Sequence, residues 1–139
     1  KAAGGPALKA QVLIYPATGH GLNTVSRKQL AEGYFLTQAM ISWFTSHYLR
    51  SAADGQNPHA APLFATDLRG LPSTLLLTAE FDPLLDEGEA YGARLREAGV
   101  AVTARRYDGM IHGFLQFTAM IPAARPAIDE TAAWLRETL

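Results

Sequence analysis

The strongest constraint on this chain is a short, almost wholly apolar run, residues 11–15 (QVLIY), that stops at Pro16. A run of this length between turn-forming residues reads as a strand covered on both faces, and such strands belong to parallel sheets flanked by helices. Two more runs follow. Residues 74–79 (TLLLTA) enter through Leu71-Pro72-Ser73, and residues 102–107 (VTARRY) follow Gly99. The last is more polar, which places it towards a sheet edge.

Between the second and third runs, Leu84, Gly88, Tyr91 and Leu95 recur at helical spacing. Asp86, Glu87 and Glu89 stand early in that stretch and Arg94 and Arg96 late, an order that complements the helix dipole, and Gly99 suits a left-handed cap. Strand, helix and strand in succession imply a right-handed crossover and a parallel pair. Residues 123–139 carry Ile128, Ala132 and Leu135 on one stripe and are expected to close the domain as a helix on the sheet. Residues 17–70 are too many for a simple crossover. Their periodicity predicts a helix over 31–49, followed by extended chain where Pro58 and Pro62 restrict the backbone.

At 139 residues, with 48% hydrophobic and 18% charged composition, the chain supports one domain with its own core. Twelve basic residues against thirteen acidic leave no surplus of cations for a phosphate backbone, so nucleic acid is not an expected partner. Cys is absent, which removes disulfides, thiolate metal sites and a cysteine nucleophile together. No apolar run reaches the length of a membrane span. Lys1 opens the chain without an initiator Met or a basic-then-apolar leader, so an upstream portion of the polypeptide is expected. With no targeting signal in view, the expected location is cytoplasmic.

Two residues carry candidate chemistry. Asp82 follows the second strand directly and precedes Pro83, which disfavours helix at Asp82 and suits the first turn of the helix beyond it. His112 follows the third strand between Gly109 and Gly113. In an open parallel sheet, ligands bind outside the carboxyl ends of the strands, and both residues arrive there. Each has a plain structural reading, Asp82 as a helix N-cap and His112 as a solvent-exposed imidazole. Together, an acid and then a histidine one helix and one strand later form the back half of the Ser, Asp, His order of α/β-hydrolases.

The stretches Glu80-Phe81-Asp82-Pro83-Leu84-Leu85-Asp86-Glu87-Gly88-Glu89 and Tyr107-Asp108-Gly109-Met110-Ile111-His112-Gly113-Phe114 resemble the acid and histidine motifs of hormone-sensitive-lipase-like carboxylesterases. Leu13-Ile14-Tyr15-Pro16 is similar to that family's strand after the nucleophile helix, and Met40-Ile41-Ser42-Trp43-Phe44 with Tyr48 to its helix beside the acyl pocket. The stretch from Asn57-Pro58 through Pro62-Leu63 to Gly70-Leu71-Pro72 resembles the family's approach to the acid strand. The resemblance implies the C-terminal portion of an α/β-hydrolase fold: three parallel strands with flanking helices, the nucleophile half missing, and residues 1–139 forming one partial domain. It further implies ester hydrolysis through an acyl-enzyme, with His112 as base and Asp82 orienting it. Met40, Trp43, Phe44 and Phe114 would contact a small acyl-ester substrate, although an apolar stripe at helical spacing also suits a core.

Ser26, Ser42, Ser46, Ser51 and Ser73 are the only serines, and none lies in a G-x-S-x-G elbow; no His-Gly-Gly oxyanion segment occurs either. Both elements are expected upstream, in the missing N-terminal half of the same polypeptide, and the chain alone is expected to be inactive. Asp86 lies inside the helical pattern and reads as a first-turn dipole partner. His20, His47 and His59 lack a metal-ligand spacing, so no metal or cofactor is expected. Two other readings use the same residues. One is a non-catalytic small-ligand-binding protein on the hydrolase fold. The other is an unrelated three-stranded α/β domain in which Asp82 is only a cap, though no glycine-rich phosphate loop follows the first strand.

The first strand would pair with a strand this sequence lacks, and an apolar strand with an open edge is a template for association. The chain alone is therefore expected to self-associate in sedimentation velocity. A clean monomer at high concentration would contradict this.

Overall fold

Leu75, Leu76 and Leu77 are each no more than 1% exposed, and the strand that carries them, β2 (Ser73–Phe81), is the middle strand of a parallel sheet in order β1-β2-β3. The computed structural model describes residues 5–139. β1 (Ala10–Ile14) pairs from Ala10 opposite Ser73 to Ile14 opposite Leu77, and β3 (Val102–Ile111) begins opposite Thr74. Consecutive leucines are all buried only where both faces of a sheet are covered.

The α3 helix (Leu85–Glu97) covers the face of Leu76 and Thr78. A Cβ on Gly92 would stand 2.6 Å from Leu76 Cδ2, so glycine sets how closely the helix lies on the strand. Tyr91 and Leu95 pack there with Leu68 and Val100. Side chains alternate along a strand, so Ala79 faces the other side, where Ala124 and Ala127 of α4 (Ala124–Thr138) pack with Phe114. The stripe expected on α4, Ile128, Ala132 and Leu135, is only half-buried, and the tightest contact lies one turn earlier. The α3 helix ends as its composition predicts: Gly99 takes a φ of 80°, its N–H donates to the Arg96 carbonyl, and the Val100 N–H donates to the Leu95 carbonyl. These two bonds, with Val100 packed on Leu95, form a Schellman cap.

The helix expected over 31–49 is α2 (Gln38–Tyr48) alone, because the Thr37 side chain accepts from the Met40 N–H and starts the helix there. Upstream of it, Gly33 and Phe35 have positive φ, and the Gln38 N–H donates to the Ala31 carbonyl, closing an irregular loop. The α1 helix (Val25–Gln29), capped by Thr24, is too short to show a period in the sequence. Pro62 begins a 3-10 turn (Pro62–Phe64) rather than extended chain. β1 ends one residue before Tyr15 and is half-buried, not enclosed. β2 and β3 both run further than their apolar cores.

The extra length of β3 matters most. From Ala79 opposite Tyr107 to Phe81 opposite Ile111, β2 advances two residues while β3 advances four. The bulge is accommodated at Gly109, whose φ is 74° and whose N–H donates to Glu80 Oε2 at 2.7 Å. Without it the regular register would place Met110 beside Asp82. With it, the next pair beyond Phe81 and Ile111 is Asp82 and His112.

α4 is tied to β3 by Glu130, which accepts from the Tyr107 hydroxyl (2.7 Å) and from Arg105 Nε (2.6 Å). Those bonds, the tyrosine's first, hold its carboxyl below the ordinary range. A lowered folded pKa contributes stability above the unfolded pKa, and that stability is lost as pH falls through the folded value. The side chain is 38% exposed, so solvent screening keeps the contribution small. Glu130→Gln is expected to lower the urea midpoint slightly at neutral pH and to converge on the unsubstituted chain as the carboxylate range is crossed downwards; parallel midpoint curves would contradict this.

Candidate active site

Asp82 is 1% exposed and divides its carboxylate between two tasks. Oδ1 accepts the Leu84 N–H at 2.8 Å, fixing the turn into α3, and Oδ2 lies 2.8 Å from His112 Nδ1. Asp82 is therefore not the N-cap of α3, a place that Leu84 takes; one of its oxygens closes the turn before the helix and the other meets the histidine. An imidazole nitrogen beside a carboxylate oxygen carries the proton, so Nδ1 donates and Nε2 of the neutral ring holds a lone pair. Nε2 has no hydrogen-bond partner among the described residues, and the His112 side chain keeps 23% of its surface open.

That open side belongs to a pocket of about 450 Å³ lined by Tyr15, Leu36, Ile41, Phe44, Leu84 and His112, among others. Its walls are mostly apolar, with polar groups at a few points, the usual character of a small-molecule site. Of the four residues expected to contact substrate, Phe44 stands on the wall. Met40 and Trp43 are exposed on α2 away from it, because a helix turns successive side chains to different faces. Phe114 is fully enclosed with Ala79, Ala124 and Ala127 rather than in the pocket.

Three features of the site lay outside the sequence reading. Tyr15 leaves β1 with a φ of 34°, a left-handed conformation that strains a residue with a Cβ, and this turns its ring onto His112 at a centroid distance of 4.6 Å. Burial, and then the nearby Asp82 charge, push its phenol above the ordinary range. No pattern in the sequence marks that turn. His20, singled out in the sequence only for lacking a metal-ligand spacing, lines the pocket with Nδ1 3.4 Å from Thr45 Oγ1.

The third is Glu87, read as a first-turn dipole partner but 1% exposed. Its Oε1 accepts the Thr18 and Gly19 N–H groups at 2.9 and 3.2 Å, and its Oε2 accepts Arg27 Nε at 2.7 Å. Arg27 is itself 6% exposed and lines the pocket. Beside it, the Ser26 N–H donates to Asp86 Oδ2 and the Ser26 hydroxyl to the Pro83 carbonyl, both at 2.8 Å. The loop between β1 and α1 is thus fastened to the first turn of α3, just beyond Asp82. No group of three or more His, Asp or Glu side chains is placed to hold a metal ion among the described residues, and none of their helices is long and apolar enough to cross a membrane.

A family model described as the alpha/beta hydrolase fold matches residues 1–116. The carboxylic ester hydrolase LipN of Mycobacterium tuberculosis is 39% identical over 137 residues, covering 98% of this chain and 36% of LipN. An arylesterase of Saccharolobus solfataricus is 40% identical over 124 residues, covering 84% of this chain and 40% of its own length. The crystal structure of a thermostable esterase from Pseudomonas putida superposes with a TM-score of 0.95 at 43% identity, over 99% of this chain and 44% of that one. The chain therefore spans well under half the length of these relatives.

Removing one member of a buried ion pair leaves the other charged and desolvated. Arg27→Met is expected to cost about 3–5 kcal/mol in urea unfolding. Adding Glu87→Gln should recover part of that loss, because the side-chain amide would keep an oxygen acceptor for the loop N–H groups without the charge. Strictly additive losses would contradict the coupling.

Proposed function

Because the chain belongs to the α/β-hydrolase fold family, we propose that it is the acid-and-base portion of a carboxylic ester hydrolase whose nucleophile and oxyanion donors lie in preceding sequence. The observation that carries this reading is the Asp82–His112 hydrogen bond at the edge of a largely apolar pocket, with Nε2 left unengaged on the pocket side.

In the proposed reaction, a serine hydroxyl from the preceding portion attacks the ester carbonyl while His112 Nε2 removes its proton. The carbonyl π-bond electrons move onto oxygen, where N–H donors outside this chain hold the oxyanion. The intermediate then collapses, the C–O bond to the alcohol breaks, and the imidazolium returns its proton to the departing alkoxide. Water repeats the sequence on the acyl-enzyme, releasing the acid and regenerating serine. Asp82 stays ionised throughout; it holds Nδ1–H and stabilises the imidazolium at both stages. The acyl or alcohol group would occupy the space beside Phe44, Ile41 and Leu36, and Tyr15 would bound it next to the imidazole.

The exposed apolar surfaces then have a purpose. The outer edge of β1, where Ile14 is 38% exposed, would pair with the strand leading to the nucleophile. Met40 and Trp43 would be covered by the same preceding portion. A small acyl ester is then the substrate.

The experiment is hydrolysis of p-nitrophenyl acetate and butyrate by the full-length protein, beside residues 1–139 alone. Asp82→Asn is expected to lower kcat on the order of 10⁴-fold by favouring the wrong tautomer, and His112→Ala by at least as much. Residues 1–139 alone should not turn over. An inactive full-length protein that still binds small ligands would favour a non-catalytic binder on this fold, and unaffected variants would mean that other residues do the chemistry.

A further inference from the structure

Residues 34–36 lie against the site, with Leu36 on the pocket wall, and their backbone is strained at Phe35. Phe35 has a φ of 71°, and the Leu36 N–H donates to the Tyr34 carbonyl at 2.9 Å. An i to i+2 bond around a residue of positive φ is a γ-turn of the rarer, strained kind. Glycine adopts that conformation without steric cost, whereas phenylalanine does not. Phe35 also gains little from burial, being 51% exposed. Folding stability alone thus gives no reason for an aromatic ring at this point.

The three side chains of the turn account for it. The Tyr34 ring stacks on Phe81, 5.2 Å between centroids and 4° from parallel, and Phe81 immediately precedes Asp82. Leu36 packs with Ile41 and with Leu84, whose N–H is held by Asp82 Oδ1. Phe35 reaches the other half of the pair: its Cε1 would lie 3.3 Å from a Cβ on Gly113, the residue after His112, and its ring meets Phe117 edge-on at 5.4 Å. Three consecutive residues therefore touch both flanks of the Asp82 turn and the far side of the His112 turn. The β2–β3 pairing ends at Phe81 opposite Ile111, and these contacts add a second brace between the two turns just beyond it.

We propose that Tyr34, Phe35 and Leu36 form a clasp that, with the β2–β3 pairing, sets the distance between the Asp82 and His112 turns, with Phe35 as the positioning residue, its strained backbone kept in place by the contacts around it. The catalytic consequence rests on the ester-hydrolase reading; the clasp itself does not. Its effect is on the Asp82–His112 hydrogen bond, and through it on the orientation of Nε2.

The test compares Phe35→Gly and Phe35→Tyr in the full-length protein by urea midpoint, by the low-field proton resonance of the His112 Nδ1–H, and by kcat and KM for p-nitrophenyl acetate. Phe35→Gly keeps the turn and relieves its strain, so the midpoint should hold or rise. The low-field resonance should broaden or move upfield, and kcat should fall on the order of 10- to 100-fold with KM nearly unchanged, as expected for a misplaced base. Phe35→Tyr should retain all three properties. Tyr34→Leu, which removes the stacking on Phe81 without opening a void, should give a smaller change in the same sense.

A Phe35→Gly protein with an unaltered resonance and kcat would overturn the clasp, as would Phe35→Tyr failing equally. An altered resonance in a protein that hydrolyses no ester would instead support the clasp and count against the ester-hydrolase reading.

Discussion

The site depends on β2 being held along both edges and on both faces. A strand paired on each side in parallel register, with α3 on one face and α4 on the other, cannot slip by one residue without turning Leu75 and Leu77 onto the face of Leu76. Its carboxyl end is therefore a fixed point, and Asp82 is the first residue beyond it. From that point everything nearby is measured. The Gly109 bulge brings β3 level, the Tyr15 turn carries the end of β1 across the imidazole, and Glu87 draws the loop after β1 down onto α3.

Asp82 shows how stability and chemistry share one group. A carboxylate at 1% exposure needs hydrogen bonds to offset its lost hydration, and here one comes from the Leu84 N–H and one from His112. Neither oxygen is free to rotate away without leaving a buried donor unpaired. The same restriction that makes the turn stable fixes which imidazole nitrogen is protonated. In the proposed reaction that is what a base requires: a lone pair of known direction and a counter-charge already in place.

The parts of this arrangement legible in sequence were those governed by local, repetitive physics. Apolar runs revealed β1 and β2 and a more polar run the edge strand β3, charge order and Gly99 revealed α3, and the order of Asp82 and His112 revealed which loop ends meet. What escaped depends on contacts between residues distant in the chain. Glu87 reads as a solvated first-turn acid until Arg27, sixty residues earlier, is folded against it. Tyr15 reads as the end of a strand because nothing adjacent announces a positive φ. Residues 31–37 mimic a helical period, and only the capping of α2 by Thr37 and the turn at Phe35 end it. Likeness to a family points to Met40, Trp43, Phe44 and Phe114 as pocket residues, whereas of these only Phe44 lines the pocket.

In the proposed reaction His112 serves a nucleophile outside these 139 residues. The most direct measurement is peptide mapping of the full-length protein after reaction with a p-nitrophenyl alkylphosphonate, which forms a stable bond to an activated serine and releases p-nitrophenol. The expected result is a single adduct on a serine preceding Lys1, its formation slowed in both Asp82→Asn and His112→Ala. An adduct on Ser26, Ser42, Ser46, Ser51 or Ser73, or no adduct in a folded full-length protein, would contradict it.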